Sequence, residues 1–273
     1  MKKLRLVTKS KFNIFFCLSL LFVFSNEVKA QFGYSSEIGF FVGSVGFQSD
    51  YGESKNLSAD INSGFGFGLV HFINFAMDDR GYFNNISYFS DRIKLRTELS
   101  YSKSNFQYSG RWIEGKPSLG KQQLQAMSGN SAVTNIGMQL EFFPWSIRDF
   151  TENIGSFAPF ITLGAQYSFY NTKVQSTMGP LGTPLTTFPK YLTATDDRPY
   201  GFSSESSSVF SAVTSLGTRY KLTPLSDLMV DLRVQYYFSD WVDGLKPNPN
   251  LYKENKANDW LVWFNVGYIY YLP

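Results

Sequence analysis

Few side chains in this chain have the type and spacing that chemistry requires. His71 is its single histidine and Cys17 its single cysteine. A hydrolase needs a nucleophile or activated water beside a base, with a third group to orient that base. His71 falls in the aromatic row of its segment, where no such partners converge on it, and one His without a second thiol or imidazole disfavours zinc. Gly64-x-Gly66-x-Gly68 invites comparison with a phosphate loop. Its i, i+2, i+4 spacing marks one face of a strand instead, with lumen side chains packed against it. Asp240-Trp241-Val242-Asp243-Gly244, with Glu254 and Asp259, could attract calcium, but the spacing matches no dedicated calcium loop and reads as a solvated loop. The charged residues that remain interesting are those inside strongly alternating segments: Lys94, Arg96, Glu98, Glu141, Arg219, Lys221, Asp231 and Arg233. Set together in an interior they must neutralise one another or be wet, which makes a paired ionic plug the expectation.

The elements that would position them have a period of two. Ile93, Leu95, Leu99 and Tyr101 alternate with Lys94, Arg96, Glu98 and Ser100, and Leu228 to Phe238 repeats the pattern against Asp231, Arg233 and Gln235. Similar alternation around 136–142 and 161–169, and less cleanly at 34–48, 64–76, 209–222 and 260–272, gives eight strands. The stretches 49–63, 102–132, 171–208 and 239–259 are long and polar, whereas Thr223-Pro224-Leu225-Ser226 is a tight turn. Long loops at one end and short turns at the other predict an all-β, eight-stranded antiparallel up-and-down transmembrane barrel with long extracellular loops. Connections near 77–91 and 143–157 are longer than that rule expects, with room for a short helix or an extended strand.

A soluble lipocalin-like barrel or a β-sandwich would show the same alternation. Aromatic residues clustered at strand ends favour lipid outside: Tyr88, Phe89, Tyr101, Phe106, Tyr108, Phe142, Phe143, Trp145, Tyr236, Tyr237, Phe238, Trp241, Tyr268, Tyr270 and Tyr271. Glycine on the opposite row suits a tight polar lumen, and eight strands leave an interior just filled by side chains, so an open pore is not expected.

The address agrees. A basic segment through Lys11, an apolar run from Phe12 to Phe24 and the small-residue pattern Val28-Lys29-Ala30 have the layout of a signal peptide cut after residue 30. The run of about 13 apolar residues is short of the roughly 20 a spanning helix needs. The whole chain carries 25 Lys and Arg against 22 Asp and Glu, and removal of 1–30 leaves 19 against 21. The basic balance thus belongs to the leader and gives no support to nucleic-acid binding. With Cys17 also in the leader, residues 31–273 form one thiol-free barrel domain, addressed to the outer membrane of a Gram-negative bacterium.

The stretches Gly68 to Phe75, Tyr88 to Arg96, Phe143 to Phe150, Tyr220 to Leu228 and Lys253 to Leu261 resemble a flavobacterial (Bacteroidota) family of small outer-membrane barrels of unassigned function. Glu37 to Gly43 more distantly resembles the opening strand of the PorG-like barrel of type IX secretion. The first resemblance implies no functional residues, and the second implies a secretion-accessory role. The residues lead to a non-enzymatic structural or interaction protein in contact with outer-membrane lipid and another envelope protein, with no cofactor and no metal. Arg111, Trp112 and Ile113, and the Pro-rich loop 179–199, are its candidate docking anchors. Narrow-pore transport is the first alternative, and an outer-membrane hydrolase using His71 is the second.

Overall fold

The computed structural model describes residues 35–51, 61–76, 87–110, 113–253 and 257–272. The leader with Cys17, Arg111, Trp112 and Glu254 lie outside the described residues. Eight strands follow one another: β1 (Ser35–Gln48), β2 (Ile61–Asn74), β3 (Ile93–Gln107), β4 (Met127–Phe142), β5 (Phe157–Ser176), β6 (Ser206–Thr223), β7 (Ser226–Tyr237) and β8 (Trp260–Tyr271). Each pairs antiparallel with the next, and β1 closes on β8 from Glu37↔Tyr271 to Gln48↔Trp260. Closure leaves no strand edge, so the backbone satisfies its hydrogen bonds without water. Among the described residues two short α-helices interrupt the connections, α1 (Leu119–Ala126) at the loop end and α2 (Ile147–Glu152) at the turn end, where the sequence left room for one. Ser118 and Ser146 cap them through their side chains.

The two faces of the wall differ as period two demands. Outward rows such as Ile38, Phe40 and Val42 on β1 or Leu228, Val230, Leu232 and Val234 on β7 are exposed. Among the described residues no Asp, Glu, Lys or Arg occupies an outward position in 36–44, 65–73, 93–101, 134–142, 157–169, 210–222, 228–238 or 262–272. Outward threonines hide their hydroxyls on the wall itself: Thr214 donates to the Thr162 carbonyl at 2.8 Å and Thr97 to that of His71 at 3.3 Å. A continuous apolar belt of this kind far exceeds the roughly 300–600 Å² patch a water-soluble monomer exposes. No helix among the described residues is long and apolar enough to cross a membrane.

Strand lengths are uneven. β4, β5 and β6 have 16, 20 and 18 residues, against the roughly 9–11 that cross a bilayer. They therefore carry the wall beyond the membrane.

The aromatic girdle is smaller than the sequence suggested. Tyr88, Phe89, Trp145, Tyr236, Phe238 and Tyr270 face outward, but Phe106, Tyr108, Phe143, Tyr237, Trp241 and Tyr271 are buried. Where an aromatic sits beside another at a strand end, as Tyr236 does beside Tyr237, consecutive residues point to opposite faces and only one can reach lipid. The lumen is correspondingly less polar than expected.

Candidate functional site

Every one of the eight ionisable residues singled out from the pattern points into the barrel and is buried. They form two linked groups. Toward the turn end, Arg219 bonds Glu37 and Glu141, each at 2.6 Å, and lies 3.6 Å from Asp227; Lys94 bonds Glu37 at 2.6 Å and Lys221 lies 3.2 Å from Asp227. At mid-height Arg233 grips Glu98 through both terminal nitrogens at 2.6 and 2.9 Å, while Arg96 joins Glu98 at 2.9 Å to Asp231 at 3.2 Å. Gln139 and Gln166 donate to the same Glu98 carboxylate at 3.1 and 3.2 Å. The cations Lys94, Arg96, Arg219, Lys221 and Arg233 are thereby balanced by Glu37, Glu98, Glu141, Asp227 and Asp231. Buried charge is tolerable on those terms alone.

Glu37 and Asp227 are the members the sequence reading missed. The inward row that follows Glu37 is Gly39, Phe41, Gly43, Val45 and Phe47, so β1 shows no charge alternation to point to it. Asp227 sits next to the tight turn and reads as a turn residue.

Aromatic rings complete the filling. Arg219 lies over Phe72 at 4.2 Å, Arg233 over Phe41 at 5.0 Å, and the Lys221 ammonium over Tyr271 at 3.7 Å. The glycine row makes this possible. A Cβ on Gly66 would stand 2.2 Å from the Trp263 ring and one on Gly68 2.5 Å from that of Phe41. Gly64, Gly66 and Gly68 thus line one inward face, packed against by lumen side chains.

Above the ions a neutral layer of Ser100, Asn135, Ser168, Ser211 and Gln235 follows, in which Gln235 donates to Asn135 at 3.0 Å and Ser211 at 2.8 Å. An aromatic column then rises to the mouth: Phe47 packs on Tyr237 and Phe106, Phe106 on Tyr51, and Tyr51 on Tyr108. Tyr108 and Tyr191 share a hydrogen bond through their hydroxyls, which ties the β5–β6 loop to the top of the column.

The segment read as a solvated acidic loop is instead part of this cap. Trp241, Val242, Asp243 and Leu245 are all buried. Asp259 accepts from the backbone N–H of Val242 at 2.8 Å and of Asp243 at 3.0 Å; Asp243 accepts from those of Asp50 and Leu245, each at 2.7 Å. Short aspartate side chains satisfy turn N–H groups that the fold would otherwise bury unpaired, which is why a polar sequence can lie inside. Burial and the neighbouring carboxylates push Asp243 and Asp259 well above the carboxylate range, and Asp240 up to about 10. The donated N–H bonds act in the opposite direction and are outweighed. The cap is closed by a bridge between Phe202 and Leu245, by Lys246 N–H on the Gly201 carbonyl at 2.9 Å, and by Arg198, which stacks 3.9 Å over Trp241 and pairs with Glu205 at 2.6 Å. Ile113 is half-buried and packs against the core, so it offers less free surface than a docking anchor would.

His71 faces outward from β2. It lines a shallow, largely apolar dimple on the outer wall with Ile38, Leu69, Leu99 and Met138. Among the described residues no group of three His, Cys, Asp or Glu side chains is placed to hold a metal ion.

These features define a closed, eight-stranded antiparallel barrel with a filled, charge-paired interior and an apolar exterior, a fold similar to those of outer-membrane barrels. Solved structures with a similar fold include outer-membrane proteins. A major outer membrane protein from Thermus thermophilus aligns over 87% of this chain and 99% of its own at 14% identity and a TM-score of 0.45. Neisserial surface protein A aligns over 86% and 96% at 13% identity and 0.41. Ail, the attachment invasion locus protein of Yersinia pestis, aligns over 88% and 99% at 13% identity and 0.40. No family model matches the chain, and no curated protein sequence does.

Proposed function

We propose that this protein is a non-enzymatic outer-membrane barrel, exported with residues 1–30 removed, whose loop end presents a rigid surface to another envelope protein. The observation that carries the reading is the filling of the barrel from end to end. Paired ions, amides, an aromatic column and a folded cap occupy the space a substrate or a solute would need. Membership of the flavobacterial barrel family and a secretion-accessory role are the finer form of the proposal, supported by the sequence stretches quoted above. Leu185, exposed in the Pro-rich loop, and the Arg111–Trp112 pair are the anchors proposed for docking. The test has two arms. Purified barrel in planar bilayers should give no conductance steps, and crosslinking in native outer membranes should recover a defined envelope protein, with secretion-machine subunits as the outcome favouring the accessory role. Sustained channel openings, or recovery of the barrel alone, would overturn the reading.

A further inference from the structure

We propose a second binding surface, on the outer wall of β3 to β6 at the loop end, that takes the phosphate-bearing headgroup of a membrane glycolipid, with Lys103 and Lys173 as its phosphate contacts. Both lysines point outward and are exposed, and among the described residues neither has an acidic partner. That sets them apart from the barrel's interior, where each Lys and Arg is matched by a carboxylate. The outward neighbours on this strip are neutral: Asn105, Asn130, Asn171 and Ser206. Placement relative to the apolar belt is the second observation. Lys103 follows the outward ring of Tyr101 by one outward position on β3, and Lys173 follows that of Phe169 by two on β5. Cations at that boundary stand where lipid phosphates lie, and anchor a protein to anionic headgroups.

The register fixes how the two lysines cooperate. Lys103 is opposite Ala132, and Ala132 opposite Asn171, so one strand separates the lysines, with an offset of one outward position. Two strand spacings and a two-residue offset put their Cα atoms roughly 12 Å apart. Extended lysine stems can close that distance on one phosphate or hold two on one headgroup. Beside them, toward the apolar belt, is a shallow and open depression lined by Tyr101, Thr134, Phe169, Asn171, Ser206 and Ser208. Rings beside hydroxyls and amides suit a sugar, whose C–H face packs on aromatics while its hydroxyls take hydrogen bonds. A soluble polyanion would meet the same lysines but would gain nothing from the apolar wall beneath. A lipid continues down it with its acyl chains.

The inference rests on the membrane placement of the barrel and on none of the docking loops. Its test titrates a synthetic diphosphorylated lipid A, and the dephosphorylated form, onto the barrel in neutral detergent, with bound lipid read by native mass spectrometry. The phosphorylated form should bind selectively, and the double substitution of Lys103→Gln with Lys173→Gln should weaken it roughly tenfold or more. Lys116→Gln, at an exposed lysine in the β3–β4 loop, should leave it unchanged. Equal binding of both lipid forms, unchanged binding by the double variant, an equal loss with Lys116→Gln, or equally tight binding of soluble inositol hexakisphosphate would each overturn the site. Insertion into liposomes, read separately by protease protection of the strands, reports on membrane placement, so a failed site and a failed barrel reading give different results.

Discussion

The lumen and the mouth of this barrel both bury acidic side chains, and they solve the problem in opposite ways. In the lumen each carboxylate faces a guanidinium or ammonium, and Glu98 alone takes hydrogen bonds from Arg96, Arg233, Gln139 and Gln166. At the mouth Asp240, Asp243 and Asp259 lie near one another with backbone N–H groups as the main partners of the latter two, and burial shifts all three toward the protonated form. Pairing keeps charge inside, and protonation removes it. The first arrangement holds its charges as matched pairs, whereas the second depends on pH.

The largest effect expected from breaking this contrast is in the lumen. Glu98→Gln keeps the shape but leaves two buried guanidiniums without their shared anion, a loss of roughly 3–5 kcal/mol. Urea unfolding from liposomes, followed by the gel-mobility shift between folded and unfolded barrel, should show that loss. Stability within about 1 kcal/mol of wild type would mean that water, not Glu98, neutralises the pair.

A pH series sharpens the other half. The folded-state values of the mouth aspartates are raised, so their contribution is fully present below the ordinary carboxylate range near 4. It is lost as pH rises through the folded values, about 10 for Asp240. Hydrogen exchange over 239–253 should therefore quicken from pH 5 to pH 9 beyond the intrinsic base-catalysed increase, while the lumen strands stay protected. A mouth whose corrected protection is flat across that range would remove the contrast.

The smallest effect is the same acid-to-amide change made at the mouth. Asp259→Asn retains an oxygen to accept from Val242 and Asp243 and removes no charge from a protonated group, so its cost should stay within about 1 kcal/mol. It should also flatten part of the pH dependence just described. A loss as large as that of Glu98→Gln would show that Asp259 is ionised in the folded cap.

The residues that were legible in the sequence share one property. Lys94, Arg96 and Glu98 stand in a segment where charged and apolar positions alternate strictly, and inward orientation follows from the pleat alone. Asp231 and Arg233 are the same case on β7. Glu37 was hidden because its own strand fills the lumen with Phe41, Val45 and Phe47 in place of charges. The cap was hidden for a different reason. Asp240 to Gly244 has no period, and a polar stretch looks solvated until the N–H groups its carboxylates accept from are known.

The sequence by itself determined the class of this protein: eight alternating segments, each with an apolar row on one face, and long loops opposed to short turns. These are local properties, set by each residue's immediate neighbours and by the period of an extended chain. Only the tertiary structure decided which ions meet. Glu37 reaches Arg219 across 182 positions of sequence, and Arg233 reaches Glu98 across 135. Those pairings depend on the closure of β1 on β8 and on the register of every strand between, and no stretch of sequence contains that register.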